Sequence, residues 1–240
     1  MSDRPDGHWL TARPFAHRGL HGAGRSENGM AAFEAAVAAG YGIECDVRLS
    51  RDGVPFVFHD RDLARMTGRP ERIDTLDAAT LDRVRLPDGG TIPRLSALLT
   101  LCDGAVPLLV EIKAEGCDAG PLCRAVAGDM ARGNANRVAI MSFDPRVVRR
   151  FERQRCGQLR GLVVTERGKG DWRGRIERAL ALWLAKPDFL ACDIRDLPSA
   201  LSVRARAGGI PVLSWTVRTP DDRARAAACA DQIIFERTDG

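Results

Sequence analysis

The sequence has no C-x-x-C pair, and its seven cysteines are scattered singly (Cys45, Cys102, Cys117, Cys123, Cys156, Cys192 and Cys229). An odd, unpaired set argues against a disulfide framework and against structural zinc. Reduced thiols, most of them small core residues, fit a cytoplasmic protein. No apolar run approaches the roughly 20 residues of a membrane span, and the first seven residues contain no signal-peptide core. Stable membrane insertion is therefore not expected. There is one tyrosine, and the arginines are spread along helices (Arg146, Arg149 and Arg150; Arg223 and Arg225). A nucleic-acid partner would show a clustered basic stripe with stacking aromatics, so none is expected. The net charge of +4 is mild and gives at most a weak pull on an anionic substrate.

What is present is a regular alternation of short apolar runs and helical segments. Strands are expected at 15–17, 41–49, 106–113, 137–142, 161–165, 189–193, 210–216 and 232–235. Helices are expected at 28–39, with Ser26 as N-cap, and at 95–101, 120–132, 145–154, 173–184, 198–207 and 220–228. Prolines open several of them and glycine closes one. About eight strands, each followed by a helix except the last, predict an α/β fold of the (β/α)₈ TIM-barrel class. A doubly wound open sheet is the alternative. The expected organisation is one domain over 1–240. It carries a short insertion after the second strand: residues 60–95 are a polar excursion between the second and third barrel strands, with a short helix near 78–84. An eighth outer helix is missing or replaced, the N-terminal segment being one replacement.

The segment 42–60 carries the chemistry. Glu44 and Asp46 lie two apart on an apolar strand and share one face, while Ile43, Cys45 and Val47 share the other. Paired carboxylates on such a strand suggest a hard-cation site; an exposed edge strand is the plain alternative. The Asp52-Gly53 turn lets the following run deliver His59 back beside the acids. In a barrel the reactive groups gather at the C-terminal ends of the strands, and here His17, Arg18, Glu44, Asp46, Glu111, Lys113 and Trp215 all fall at strand ends. Glu44, Asp46 and Glu111 offer oxygen ligands for Mg²⁺ or Ca²⁺. Arg18 and Lys113 suit a phosphate, and His17 and His59 suit general acid and base.

The plain readings are an Arg18–Glu44 salt bridge and Trp215 as simple core rather than a lid over substrate. Asp193 and Glu236 read as structural or supporting groups, and His8 and His21 as ordinary loop histidines. Lys113 and Glu111, two apart on one strand, are not expected to pair.

Ala16-His17-Arg18-Gly19, Glu27-Asn28, Gly42-Ile43-Glu44-x-Asp46-Val47 and Asp52-Gly53-Val54-Pro55-x-Val57-Phe58-His59-Asp60 closely resemble glycerophosphodiester phosphodiesterases. The match continues through Ile92-Pro93-x-Leu95, Glu111-Ile112-Lys113, Ser142-Phe143-Asp144-Pro145 and Trp215-Thr216-Val217. The resemblance implies a TIM-barrel hydrolase that releases sn-glycerol 3-phosphate and an alcohol from deacylated phospholipids, small-molecule phosphodiesters. It implies His17 and His59 as the acid/base pair and Glu44, Asp46 and Glu111 on a divalent metal. Arg18 and Lys113 would hold the phosphate, with Trp215 bordering the substrate.

The chain departs from the pattern at Ser26, at Gly29, where a looser first helical turn is expected, and at Phe235, expected to make the rim bulkier. The short 60–95 segment is expected to leave the site more open. A lysophospholipase D-type enzyme, with an apolar groove near Trp215 and Phe235, is one alternative; a non-catalytic phosphate-binding barrel is another.

Overall fold

Residues 8–22, 24–114, 118–154, 157–168 and 172–237 are described by the computed structural model. In chain order the elements are α1 (Trp9–Ala12), β1 (Phe15–His17), α2 (Met30–Ala38), β2 (Gly42–Leu49) and β3 (Pro55–Val57). Then come α3 (Ala64–Thr67), α4 (Ala78–Leu81), α5 (Leu95–Cys102), β4 (Leu108–Ile112), α6 (Gly120–Arg132) and β5 (Val138–Ser142). The series closes with α7 (Pro145–Gln154), β6 (Leu159–Val164), α8 (Trp172–Ala185), β7 (Phe189–Asp193), α9 (Ala200–Ala207), β8 (Val212–Val217), α10 (Pro220–Cys229) and β9 (Gln232–Phe235). The strand order β1-β9-β8-β7-β6-β5-β4-β2 returns on itself through β1–β2 pairing, and all eight neighbours are parallel. The sheet is therefore a closed (β/α)₈ barrel, and the open-sheet alternative is excluded. β3 lies outside the closed ring, antiparallel to β2.

The period of two separates two apolar layers. Ile43, Cys45, Val47, Val110 and Ile112 point outward and pack with Phe33, Leu98 and Val126 of the helices. Phe15, Leu109, Met141, Phe189, Leu213 and Ile234 fill the barrel interior. Leu10 of α1 joins this interior cluster, so the N-terminal segment plugs the barrel's lower end and does not stand in the outer ring as an eighth helix. Among the described residues no helix is long and apolar enough to cross a membrane. Cys45, Cys102, Cys123 and Cys192 are buried free thiols; Cys117 and Cys156 lie outside the described residues.

Some local expectations are corrected. Gly29, not Ser26, is the N-cap of α2. Ser26 instead exchanges hydrogen bonds with Asp88: its N–H donates to Oδ2 at 2.9 Å, and its Oγ accepts from the Asp88 N–H at 3.2 Å. The first turn at Gly29 is tight rather than loose, since a Cβ there would meet the Ser26 carbonyl at 3.0 Å. Pro198 precedes α9 without opening it; Ser199 caps that helix in a reciprocal box with Ser202. Phe235 faces outward, edge-on to Tyr41 at 5.0 Å, because its neighbours Ile234 and Glu236 take the inward positions; the rim is not made bulkier by it. The segment after β2 is more than a polar excursion, since Phe56, Leu63, Ile73, Leu81 and Ile92 build a small core of their own.

Gly161 leaves room for the buried Phe189 ring, which a Cβ would meet at 2.3 Å. Gly161→Ala is expected to cost about 1–3 kcal/mol through overpacking, measured as a lower urea midpoint; an unchanged midpoint would contradict this packing.

Candidate active site

Parallel register assembles the site. Asp46 of β2 stands beside Glu111 of β4, and His17 of β1 beside Glu44 of β2. Ala16 is paired with Phe235, so the next positions, His17 and Glu236, also come together. The hairpin turns at Gly53, whose φ of +87° suits glycine. Its return leg is pinned by the Phe58 N–H donating to the Asp46 carbonyl at 2.9 Å. These strand ends open on a cavity of about 600 Å³, lined by His17, Arg18, Glu44, His59, Glu111, Lys113 and Trp215.

One oxygen from each of Glu44, Asp46 and Glu111 falls within 4.8 Å of the others, and all three residues are buried. Such crowding of acids raises pKa values unless cations intervene. Burial, then repulsion from Asp46 and Glu111, pushes Glu44 well above the usual carboxylate range. Burial also raises Glu111 to about 7, against the opposing charge of Lys113. Asp46 stays well below the usual range: burial opposes its charge, but Lys113 and Arg18 outweigh burial.

Lys113 Nζ lies 2.5 Å from Glu111 Oε1 and 3.0 Å from Asp46 Oδ1. The expectation that Lys113 and Glu111 would not pair is thus overturned. The two share the inward face, and a buried acid needs a counter-charge. Arg18 does not use its side chain on Glu44. Its Nε is 3.1 Å from Asp46 Oδ2 and its Nη1 donates to Glu27 at 2.9 Å; only its backbone N–H donates to Glu44 Oε2, at 3.1 Å. This follows from its φ of +55°, which turns the amide toward Glu44.

Both histidines are held from Nδ1 by a carboxylate. His17 Nδ1 is 2.5 Å from Glu236 Oε1, and His59 Nδ1 is 2.6 Å from Asp60 Oδ1. Burial favours neutral Glu236, but hydrogen bonds from His17 and Arg218 keep its pKa well below the usual carboxylate range. An ionised carboxylate can only accept, so Nδ1–H donates in each ring and Nε2 is the unprotonated nitrogen of the neutral imidazole. Burial lowers both imidazoles below their ordinary value of 6.5. Trp215 is neither wholly core nor free. Its Nε1–H donates to the Ala191 carbonyl at 2.9 Å, and Phe143 meets it edge-on at 5.6 Å. Asp193 lines the cavity and pairs with Arg195.

The protein-family comparison matches residues 17–239 to the glycerophosphoryl diester phosphodiesterase family. The chain belongs to that family. It is a phosphoric diester hydrolase by class. It is 33% identical over 93% of its length to "Probable glycerophosphodiester phosphodiesterase 2" of Mycobacterium tuberculosis, spanning 87% of that protein. The glycerophosphodiester phosphodiesterase structure from Thermotoga maritima superposes with a TM-score of 0.74 at 26% identity, covering 92% of each chain. A Silicibacter pomeroyi structure named for the same activity gives 0.80 at 26% identity, over 97% of this chain and 92% of that one.

Several residues in the site of this phosphodiesterase are not evident from the strand-end rule. Asn28 donates its Nδ2 to Asp46 Oδ2 at 2.9 Å, from a left-handed backbone with φ of +55°; its place beside Glu27 in the motif was the available signal. Asp60 is signalled only by following His59. Glu236 directly follows β9 two positions after the inward Ile234, a parity that could have marked it. His21 is not a plain loop histidine, since its Nε2 comes within 3.9 Å of Glu236 Oε1. Nothing local pointed to Arg65 of α3, which donates to Glu27 Oε1 at 2.5 Å and to Asp60 Oδ2 at 2.6 Å.

Burial tends to raise the pKa values of Glu27 and Asp60, and hydrogen bonds from Arg65 outweigh it, so both fall below 4.5 and 3.8. Folded-state values below the unfolded ones mean stability that is present at neutral pH and lost on acidification. Acidifying below pH 4.5 and 3.8 is expected to weaken the wild type, and Arg65→Ala less steeply over the same span. Urea unfolding at stepped pH reads both slopes; identical slopes would contradict the clamp.

Proposed function

We propose that the protein hydrolyses glycerophosphodiesters to sn-glycerol 3-phosphate and an alcohol, with His17 and His59 as the acid/base pair. The observation that carries this reading is the pair of imidazoles, each tethered at Nδ1 by a carboxylate, lining one cavity with Glu44, Glu111, Arg18 and Lys113. One Nε2 takes a proton from the attacking oxygen as that oxygen bonds to phosphorus; the attacker is water, or a neighbouring glycerol hydroxyl whose cyclic phosphate water then opens. The other imidazole, protonated, gives its Nε2 proton to the leaving alkoxide as the P–O bond breaks. Arg18 and Lys113 offset the charge gathering on the phosphoryl oxygens. Trp215, its ring fixed through Ala191, borders the substrate. Glu236 and Asp60 position the histidines by fixing tautomer and ring orientation.

Glu44, Asp46 and Glu111 are the residues that would hold a divalent cation, Mg²⁺ or Ca²⁺. The donor set fits one, being all oxygen and within 4.8 Å. Buried Glu44 Oε1 has no hydrogen-bond partner among the described residues, as suits a ligand atom. When bound, such an ion supplies positive charge that polarises the phosphoryl oxygens.

A lysophospholipase D-type activity is a second reading, supported by the apolar Phe143–Trp215 wall and not by Phe235, which faces the helices. A substrate panel of deacylated head-group diesters and lysolipids separates the two.

His17→Ala and His59→Ala are each expected to lower kcat by about 10²–10⁴-fold, with Glu236→Gln lowering kcat at similar KM. Near-normal turnover of either alanine variant would overturn the acid/base assignment. EDTA is expected to abolish turnover, and Mg²⁺ or Ca²⁺ at a hundred times its Kd to stabilise the fold by about 2.7 kcal/mol. Glu44→Gln combined with Asp46→Asn should remove that thermal shift; activity indifferent to chelation would remove the metal from the mechanism.

A further inference from the structure

Of the six large apolar side chains that stand exposed among the described residues, four lie on α8. Trp172, Ile176, Leu180 and Trp183 are 65%, 50%, 60% and 73% exposed. At 3.6 residues per turn they share a sector about 80° wide. That sector points away from the face carrying the buried Gly174 and Ala185, which seats the helix on the barrel. A surface helix ordinarily turns its apolar stripe to the core; here the stripe faces out. An exposed apolar patch of this kind marks an interaction surface.

The charges around the stripe select the partner. By helical position Arg173 flanks it on one side and Arg175 on the other, and Lys186 directly follows the helix. The Arg173 guanidinium sits over the Trp172 ring at 5.4 Å. Over 172–186 there are four cations and one acid, Glu177; of the cations Arg178 turns to the barrel side, 3.4 Å from Glu166, which leaves Arg173, Arg175 and Lys186 around the stripe. A groove of about 850 Å³ between α8 and α9 continues the chemistry, with Leu182 and Leu201 among its apolar walls and Arg175, Lys186 and Arg204 also lining it.

We propose that α8 adsorbs the protein to an anionic lipid bilayer, lying flat in the head-group layer with the arginines on lipid phosphates. Tryptophan favours that interface because its ring is apolar and its N–H is polar. Basic residues beside an apolar stripe add the electrostatic attraction. Fourteen residues make a helix of roughly 21 Å, short of the bilayer's hydrocarbon core, so the contact is adsorption and not a span. A second copy is the poorer occupant, because an isologous contact would bring cationic flanks together with only Glu177 to offset them.

The test is co-sedimentation of the full chain with vesicles of pure phosphatidylcholine and of phosphatidylcholine containing phosphatidylglycerol, across a salt series. Binding to the anionic vesicles is expected to be about tenfold stronger or more and to weaken with salt. Trp172→Ser combined with Trp183→Ser should lose most of it, as should Arg173→Gln with Arg175→Gln, each at an unchanged thermal midpoint. If the double-tryptophan variant shifts that midpoint, the arginine pair and the salt series decide. Equal binding to both vesicle types, no binding to either, or variants that bind as wild type would each overturn the proposal. So would a concentration-dependent dimer or an acidic protein occupying this face without vesicle binding.

Discussion

Three buried carboxylates within one small volume at the barrel mouth repel one another, and the surrounding architecture answers that repulsion. Register sets Asp46 against Glu111, and the side-chain period of two puts Glu44 on the same face. Isolated in a low-dielectric interior, such a group would take up protons. Lys113 and Arg18 prevent this at Asp46, while Glu44 and Glu111 remain raised. Asp46 thus has two cations close by, while Glu44 and Glu111 crowd against it in the same buried volume. Three buried carboxylates gathered this closely are a candidate site for a hard cation.

The same economy of contacts orders the histidines. Each ring is fixed by an ionised carboxylate on one nitrogen, and each carboxylate is in turn held by arginine: Glu236 by Arg218 and Asp60 by Arg65. Arg65 also grips Glu27, which holds Arg18. The segment between β2 and α5 is therefore more than an appendage. Its small apolar core places α3, and α3 places an arginine that ties the carboxylate partner of His59 to that of Arg18. A chain of charge-assisted hydrogen bonds runs from the exposed Arg65 to His59 and Arg18 at the cavity.

Much of the site was legible in the residues. Glu44 and Asp46 on one strand face, His59 behind an Asp-Gly turn, and Glu111 and Lys113 at an apolar strand's end could be placed because strand parity and turn chemistry are local rules. Phe235 was misplaced because its position was taken from the motif; strand parity gives the interior to Ile234 and Glu236. The pairing of Lys113 with Glu111 was misjudged because spacing alone says nothing of burial. In water those two charges would part; in the barrel interior they cannot.

By itself the sequence determined the alternation of strands and helices, the family resemblance and the acids, histidines and cations at the strand ends. These depend on periodicity and on motifs contained in short stretches, while closure of the barrel rested on the β1–β2 pairing. Only the tertiary structure decided which carboxylate holds which imidazole, that Arg65 reaches both Glu27 and Asp60, and that Leu10 plugs the barrel floor. It also decided that the apolar stripe of α8 faces outward. Contacts between residues as distant as His17 and Glu236 depend on how the ring of strands closes and in what register, and that is settled by packing across the whole chain.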